Sequence, residues 1–543
     1  MRERKLLDCT LRDGGYVNDW EFGKENIVNI FERLVGAGVD IIEVGFLDDR
    51  RVYDPNRTIF PDTESLNKTF SKLDPGNSMV VAMIDYGTCA IERIQPRKDT
   101  CLDGIRVIFK KAKMKGAIEF CAKLKALGYK VFANAVSITS YNDRELLDLV
   151  DLVNDIEPYA MSMVDTYGLM HEDHVLHYFS LIDYNLKPGI MIGYHSHNNF
   201  QMAYSNSIQV LKAPASHSVN VDASLYGMGK SAGNLPIELM AMYMDTNMGK
   251  NYGMSQLMET IDLNIMPFFN RTPWGYKLFF YIAASNQCHP NYVKQLMEKQ
   301  TLSLSQINEL LQMLQGEKKL LYDKDYMESL YQEYQGHDCS DDQALAELTE
   351  YWKDKNILLI GPGRNVENQK ERVDAFVGEH HPEIISINYL PLHVKANCVF
   401  ISNSKRYMML NTSLVEMQEE NKENKENFRV IATSNVTKMS GHFDYTLNYS
   451  TWIDRSAEIV DNSFVMLLRV LAKCGVKKVS CAGFDGYSED GKNYFNAGMD
   501  YRNEREKRDI EKSLRTNRYV NTVLADLADR MTVEFVTDSR YHA

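Results

Sequence analysis

Eight β-rich runs alternate with amphipathic stretches between residues 5 and 224, and this alternation constrains the fold more than any other feature of the chain. The runs are Lys5–Thr10, Ile41–Phe46, Ser78–Asp85, Gly104–Phe109, Lys130–Val136, Tyr159–Asp165, Gly189–His197 and Ser218–Ser224. Most are near-continuous apolar segments, the pattern of parallel strands buried on both faces. Helical patterns such as Glu25–Val35 and Ala117–Leu127 lie between them, and Gly36, Gly38, Gly128, Pro158 and Pro188 mark where helices stop before the next run. Eight regular repeats predict a closed α/β barrel of the (β/α)8 TIM type over residues 1–270, in preference to a doubly wound open sheet.

A chain of 543 residues exceeds one ordinary core, so further domains are expected. Residues 271–350 read as a helical extension. Within it Ser303–Leu314 is an amphipathic helix with a serine placed to cap it. Residues 351–543 read as a smaller Rossmann-like open α/β domain. Its expected strands are Asn356–Ile360, Ile384–Leu390, Cys398–Ser402, Arg429–Thr433, Lys478–Ala482 and Val533–Val536. Glu416–Asn427 is a charge-rich run expected to be a solvated helix or loop.

A net charge of -13 argues against a general nucleic-acid or anionic-membrane binder, since either needs a basic face. No apolar run reaches the roughly 18–20 residues needed to span a bilayer. The start, Met1–Asp8, has basic residues with no apolar stretch behind them, unlike a signal peptide. The nine dispersed cysteines form no CxxC pair and read as reduced thiols, so a cytoplasmic location is expected.

Barrel enzymes build their sites at the C-terminal ends of the strands. Here those ends carry Arg12 and Asp13, Glu43, Asp85, Asp165, His195 and His197, and Asp222, while the strand bodies carry few charges. Residues i and i+2 of a strand share a face, so His195 and His197 converge inside the barrel mouth. Asp13, after the first strand, can reach the same mouth. Two imidazoles and one carboxylate leave about three open positions on a six-coordinate ion, a set that also suits a non-haem iron triad. Structural zinc fits less well, because no cysteine accompanies the histidines. Arg12 beside the carboxylate could stabilise an enolate or pair with Glu43.

Leu7–Gly14 (LDCTLRDG), Ile42–Phe46 (IEVGF), Tyr194–Asn199 (YHSHNN) and Gly227–Glu238 (GMGKSAGNLPIE) resemble the pyruvate aldolase branch of the DRE-TIM metallolyases. That superfamily includes 4-hydroxy-2-oxovalerate aldolase, hydroxymethylglutaryl-CoA lyase and the isopropylmalate and citramalate synthases. The resemblance implies that Asp13, His195 and His197 are divalent-metal ligands, with Asn234 in or near the coordination sphere. Mn²⁺ or Mg²⁺ is the expected ion, with Zn²⁺, Co²⁺ or Fe²⁺ as other candidates. It further implies Arg12 as enolate stabiliser with Glu43 as its partner, and Asp165 and Thr166 as part of the oxo-acid site. Trp274–Phe279 (WGYKLF) resembles the aldolases' helical segment and brings in Tyr276 as a substrate contact.

The implied reaction cleaves or forms a 4-hydroxy-2-oxo acid from pyruvate and an aldehyde, through a metal-stabilised pyruvate enolate. The expected partners are therefore small molecules, and a homo-oligomer is compatible with the family. One position departs from the aldolase pattern. The histidine that serves as base two residues after Arg-Asp-Gly is replaced by Tyr16, and a phenol of pKa about 10 is a poor base at neutral pH. An acyl-CoA-dependent Claisen synthase on the same barrel, or a catalytically lapsed barrel serving as scaffold, are the alternative readings. A Schiff-base route through Lys110 or Lys111 is the mechanistic rival. In the C-terminal region, Gly361-Pro362-Gly363 after a strand could offer backbone amides to a phosphate. Asp485, after another strand, could bind a ligand or cap a helix.

Overall fold

The computed structural model describes residues 2–542 apart from 320, 337–338, 425–427, 439–440, 442, 458–459, 489–493 and 495–506, and omits the side chains of 317, 420–424, 507–510 and 512. The chain divides into two compact units, Met1–Pro290 and Asn291–Ala543. The break falls inside the stretch expected to be a helical extension, so Leu278–Ser285 belongs to the first unit.

In the first unit eight strands close a parallel barrel. They are β1 (Arg4–Asp8), β2 (Ile41–Leu47), β3 (Met79–Asp85), β4 (Gly104–Phe109), β5 (Lys130–Ala135), β6 (Ala160–Asp165), β7 (Met191–Ser196) and β8 (Val219–Ala223). Each pairs in parallel with the next, and β1 pairs with both β8 (Leu7 opposite Asp222) and β2 (Leu7 opposite Ile41), which closes the ring. The eight expected runs supply these eight strands. All eight are buried along their whole length or at all but one or two positions, which is why they read as apolar rather than alternating.

The covering helices follow from 3.6-residue periodicity. Helix α1 (Lys24–Gly36) buries Ile27, Ile30, Phe31 and Leu34 and turns its charged residues outward. Helix α2 (Asp143–Ile156) starts at a capping box in which Asn142 accepts from the Glu145 amide and Glu145 accepts from the Asn142 amide.

The second unit begins with helices and continues into a parallel sheet. Ser303 and Gln306 form a reciprocal capping box at the start of Leu304–Gln312, the cap expected from the sequence. The sheet strands are β9 (Ile357–Ile360), β10 (Glu383–Ile387), β11 (Cys398–Ile401), β12 (Arg429–Thr433), β13 (Tyr445–Leu447), β14 (Lys478–Ala482) and β15 (Thr532–Phe535). Their order is β13-β12-β11-β10-β9-β14-β15, and all pairings are parallel.

Separate hydrophobic clusters cover the two faces of this sheet, one holding Leu359 and Ile385 and the other Leu358 and Ile384. That is the double winding of an open α/β domain. Strand β13 was not anticipated, because Tyr-Thr-Leu at a sheet edge is too short and too polar to carry a pattern. The charged run Glu416–Asn427 falls mostly on the helix Ser404–Asn424, and its residues 425–427 lie outside the described residues. No helix among the described residues is long and apolar enough to cross a membrane.

Candidate metal centre and its buried charge network

The site grows from the turn after β1. Thr10–Asp13 winds into one helical turn as the Asp13 amide donates to the Cys9 carbonyl at 2.7 Å. Asp8 anchors this turn by accepting from the Thr10 amide and hydroxyl, and the Thr10 hydroxyl accepts from the Leu225 amide beyond β8. The turn is thereby fixed to the loop on the other side of the ring closure, with Asp13 facing inward and 1 % exposed.

At the far end of β7, His195 and His197 both point inward as the period of two requires, and their ring centroids stand 5.1 Å apart. Each of Asp13, His195 and His197 offers a ligand atom, and these atoms all lie within 4.8 Å of one another. This is the one such group of three or more among the described residues. His195 Nε2 is 3.8 Å from Asp13 Oδ2.

Asn234 joins them through the loop after β8. Its backbone bridges His197, and its Nδ2 donates to the Met228 carbonyl at 3.1 Å. Its Oδ1 is buried without a partner among the described residues, and so is Nδ1 of His197. A buried acceptor left unpaired is costly. Orphaned acceptors beside a carboxylate and two imidazoles are what a divalent cation would satisfy, so the residues fit the metal expected from the sequence.

Arg12 is 5 % exposed, donates from Nε to Glu43 Oε2 at 2.7 Å, and is paired through Nη1 with Asp13. Glu43 Oε2 also lies 3.1 Å from Nη1 of Arg106, and Arg106 pairs through Nη2 with Asp222. Asp222 Oδ2 in turn lies 3.1 Å from His195 Nδ1. One buried chain thus runs Asp13–Arg12–Glu43–Arg106–Asp222–His195. Within this chain three carboxylates face two guanidiniums, an excess of one negative charge, and Lys230 in the same mouth adds a cation that acts on Asp13.

The titration directions follow from this wiring. Burial works against the Asp13 carboxylate, but Arg12 and the two imidazoles outweigh it and hold the group well below the usual range. Burial likewise opposes ionised Asp222, and Arg106 with His195 overrides it. Burial pushes His197 down to about 3, so the imidazole is neutral and able to act as a ligand at any ordinary pH.

Asp222 was noted only as one of the charged strand ends, and Arg106 was not singled out. The signal was present in Gly104–Phe109, where one arginine interrupts an otherwise apolar run; a charge inside a strand buried on both faces has to be paired inside the barrel.

The remaining expected residues are placed differently. Asp165 accepts from the Leu169 and Met170 amides at 2.9 and 3.0 Å, and burial pushes it up to about 6. Thr166 Oγ1 accepts from the Ser137 amide at 2.7 Å. Both residues therefore hold the loops after β5 and β6, a structural task not foreseen in the oxo-acid role expected for them. Tyr276 is 56 % exposed, outside the Asp13–His195–His197 cluster; its neighbour Trp274 reaches the start of the glycine loop that follows β8 (Gly227–Gly233) by donating to the Tyr226 carbonyl at 2.8 Å.

Tyr16 packs edge-on against Trp20 at 4.9 Å, and Lys230 Nζ stands 5.4 Å from its ring. The lysine does not activate the phenol. Although 43 % of Tyr16 is exposed at the mouth, its crowded surroundings and the Asp13 charge push the phenol further up from 10, opposite to what a base requires. Lys111 is held by Glu145 at 2.9 Å and the Ser140 carbonyl at 2.8 Å, which removes it as a Schiff-base nucleophile.

One group missed in the sequence stands within electrostatic reach of this mouth. Burial, then the charges of Lys230 and Lys110, push His289 down to about 4, so its imidazole is neutral at pH 7.

An HMGL-like family model matches residues 106–263, a span that contains most of β4 and all of β5 to β8 with His195 and His197. The chain is 24% identical over 270 residues to a 4-hydroxy-2-oxovalerate aldolase of Geobacillus genomosp. 3, covering 49% of this chain and 78% of that one. It is 24% identical over 271 residues to the enzyme of the same name from Pseudoalteromonas translucida, covering 49% and 77%. Among solved structures it is similar to an HMG-CoA lyase from Brucella melitensis, at 13% identity and a TM-score of 0.39 over 48% of this chain and 96% of that one. The chain thus carries an HMGL-like domain of the DRE-TIM type, set in a closed parallel barrel.

Proposed function

We propose that the barrel is a divalent-metal-dependent carbon–carbon lyase of the pyruvate aldolase type, interconverting a 4-hydroxy-2-oxo acid with pyruvate and an aldehyde. The observation that carries this reading is the convergence of Asp13, His195 and His197 beside a buried arginine. Those three residues, with Asn234 Oδ1 as a fourth donor, would hold the ion. When bound, such an ion polarises a 2-oxo carbonyl as a Lewis acid.

The chain's own residues do the rest. Arg12 is held in place by Glu43 on one edge and Asp13 on another, so its guanidinium is aimed before substrate arrives and costs little reorganisation as enolate charge develops. Cleavage takes the proton from the C4 hydroxyl onto a base. The C3–C4 electron pair passes into the enolate, the aldehyde leaves, and C3 is then protonated to give pyruvate. Tyr16 shapes the mouth in this reading, and the hydroxyl proton is assigned to His289, whose imidazole is neutral at pH 7 and feels the charge of Lys230. Asp165 and Thr166 fix the loops that frame the oxo acid, and Tyr276 lies on the segment joined to the glycine loop through Trp274.

The test is enolisation of pyruvate followed by NMR as deuterium enters its methyl group. With Mn²⁺ or Mg²⁺ supplied, exchange should occur and should be lost in Asp13→Asn and His195→Ala. Absence of exchange in the metal-loaded wild-type protein would remove the aldolase reading. Incubation with pyruvate and a panel of aldehydes, read by mass spectrometry, then identifies the partner aldehyde.

A further inference from the structure

An apolar floor lies in the barrel mouth between the candidate metal site and the ends of β2, β3 and β4. Trp20, Phe46, Met83 and Ile108 pack together there. Tyr16 meets Trp20 edge-on at 4.9 Å and Phe46 at 6.2 Å. The Arg12 guanidinium stands 5.8 Å from the Phe46 ring centroid, so the floor starts beside the arginine assigned to the enolate. A substrate held by its oxo-acid end at Arg12 therefore lays the rest of its carbon chain toward this floor.

Two lysines rim the floor from different walls. Lys230 belongs to the loop after β8, and its amide donates to Asp13 Oδ1 at 2.9 Å, which anchors its backbone beside a candidate metal ligand. Its side chain reaches from there to Tyr16, with Nζ 5.4 Å from the ring centroid. Lys110 follows β4. Arg106 on that strand points into the barrel, where it meets Glu43 and Asp222. Alternation puts Ile108 and then Lys110 on the same side, because Lys110 keeps an extended backbone at φ -83 and ψ 154. Asp85 is opposite Ile108 in the β3–β4 ladder and so faces the same way.

The electrostatics agree with this convergence. Lys230 and Lys110 act on each other, both act on Asp85, and both act on His289. Neither ammonium has a carboxylate within 4.0 Å among the described residues. The acids that act on Lys230 are engaged elsewhere or shared. Asp13 is paired with Arg12, and Asp85 answers to Lys110 and Lys113 as well as Lys230. Gathering ammoniums in a recess, in a chain whose net charge is -13, is costly unless an anion joins them.

We propose that the aldehyde partner carries an anionic group, a carboxylate or a phosphate, and that Lys230 and Lys110 bind it. The inference rests on the aldolase reading of the barrel and names the class of its second substrate. His289, assigned the C4 hydroxyl proton, lies in the field of both lysines, so the atoms beyond C4 reach the same rim. A neutral aldehyde leaves the two ammoniums without a counter-charge, and a cationic one is repelled. An anionic aldehyde covers the floor with its carbon chain and meets both ammoniums at its end, a complementarity that acts on specificity. Neither lysine makes or breaks a bond in this role.

The experiment uses the full chain with Mn²⁺ and follows aldol addition of pyruvate to aldehydes in matched pairs. Glyceraldehyde is paired with glyceraldehyde 3-phosphate, and butyraldehyde with succinic semialdehyde. In at least one pair kcat/KM for the charged member should exceed that of the neutral member about tenfold or more. Lys230→Met and Lys110→Met keep the apolar stem and remove the charge. Each should erase most of that ratio, and Lys230→Arg should keep most of it. A second readout needs no turnover. In chelator, isothermal titration calorimetry compares the intact 4-hydroxy-2-oxo acids built from glyceraldehyde 3-phosphate and from glyceraldehyde. The phosphorylated acid should bind more tightly and lose that advantage in Lys230→Met.

A preference confined to the phosphate or to the carboxylate supports the proposal and identifies the anion. Equal kcat/KM within both pairs overturns it, and so does a charge preference that neither methionine variant reduces. Deuterium exchange into pyruvate separates the two readings. Exchange without a preference for charged aldehydes sinks this proposal and leaves the aldolase reading standing. Absence of exchange removes the aldolase reading, and the titration in chelator then judges the anion site alone: lysine-dependent binding of the phosphorylated acid keeps it, and no such binding at millimolar concentration ends it.

Discussion

Asp222 touches no position that the candidate metal would occupy, yet it decides which nitrogen of His195 faces that position. Its Oδ2 lies 3.1 Å from His195 Nδ1. The carboxylate holds the proton on Nδ1 and leaves the Nε2 lone pair directed at Asp13. Asp222→Asn should therefore weaken Mn²⁺ binding about 10- to 100-fold, read by titration with electron paramagnetic resonance, with the far-UV circular dichroism of the fold retained. An unchanged Mn²⁺ affinity would assign Asp222 to pairing Arg106 alone. The same scale settles the missing base. Removing a general base typically costs about 10²- to 10⁴-fold. Tyr16→Phe should leave kcat within a few-fold of wild type, because the phenol is pushed away from neutrality rather than toward it. His289→Ala should lower kcat by about 10²-fold or more. The reverse pattern would return the base role to Tyr16.

At the scale of elements, the site is a meeting of three strand ends and one loop. The loop after β8 brings Asn234 to the histidines, and its tightest point is Gly229. A Cβ there would stand 2.2 Å from Asn234 Nδ2 and 2.8 Å from Asp13 Oδ1. Gly229→Ala should displace Asn234 or Asp13 and lower metal affinity, while the apolar strands of the barrel remain folded. Metal stoichiometry and thermal unfolding measured on the same sample separate the two effects, and full metal occupancy in the variant would exclude the close approach.

Much of this level was legible beforehand. The eight barrel strands carry their burial in near-continuous apolar runs, and His195 and His197 declare a shared face by a spacing of two. Beyond the Arg12–Glu43 pair, side-chain pairings across the closed ring were not legible. Arg106 on β4 meets Glu43 on β2 and Asp222 on β8, residues 63 and 116 positions away, and no local pattern encodes that. The loop duties of Asp165 and Thr166 were hidden for the same reason, since a strand-end carboxylate looks alike whether it holds a backbone turn or a substrate.

For the whole molecule, these buried acids make stability depend on pH in two opposing ways. Asp13 and Asp222 are held below the usual carboxylate range in the fold. Their contribution is present above the unfolded pKa of about 3.9 and is lost as pH falls through and below it. Asp8 runs the other way. Burial pushes it up to about 7, against the hydrogen bonds from Thr10, and Asp165 follows it up to about 6. Between about pH 4 and 7 the folded protein binds more protons at these two groups than the unfolded chain does, which lowers stability as pH rises by roughly 1.4 kcal/mol per pH unit for each full proton. His197 and His289, pushed down to about 3 and about 4, bind fewer protons folded than unfolded up to about pH 6.5 and oppose that slope in the metal-free protein. The metal-free protein should therefore show only a shallow change in urea resistance over this window. Asp8→Asn keeps the acceptor for the Thr10 amide, and the Thr10 hydroxyl can rotate to accept from the new amide. Removing the Asp8 titration leaves the histidines less opposed, so that variant should gain stability relative to wild type as pH rises from about 4 to 7.5. Urea midpoints measured in chelator from pH 4 to 8 give the answer directly: a constant difference between variant and wild type across this window would show that Asp8 is ionised throughout in the folded barrel.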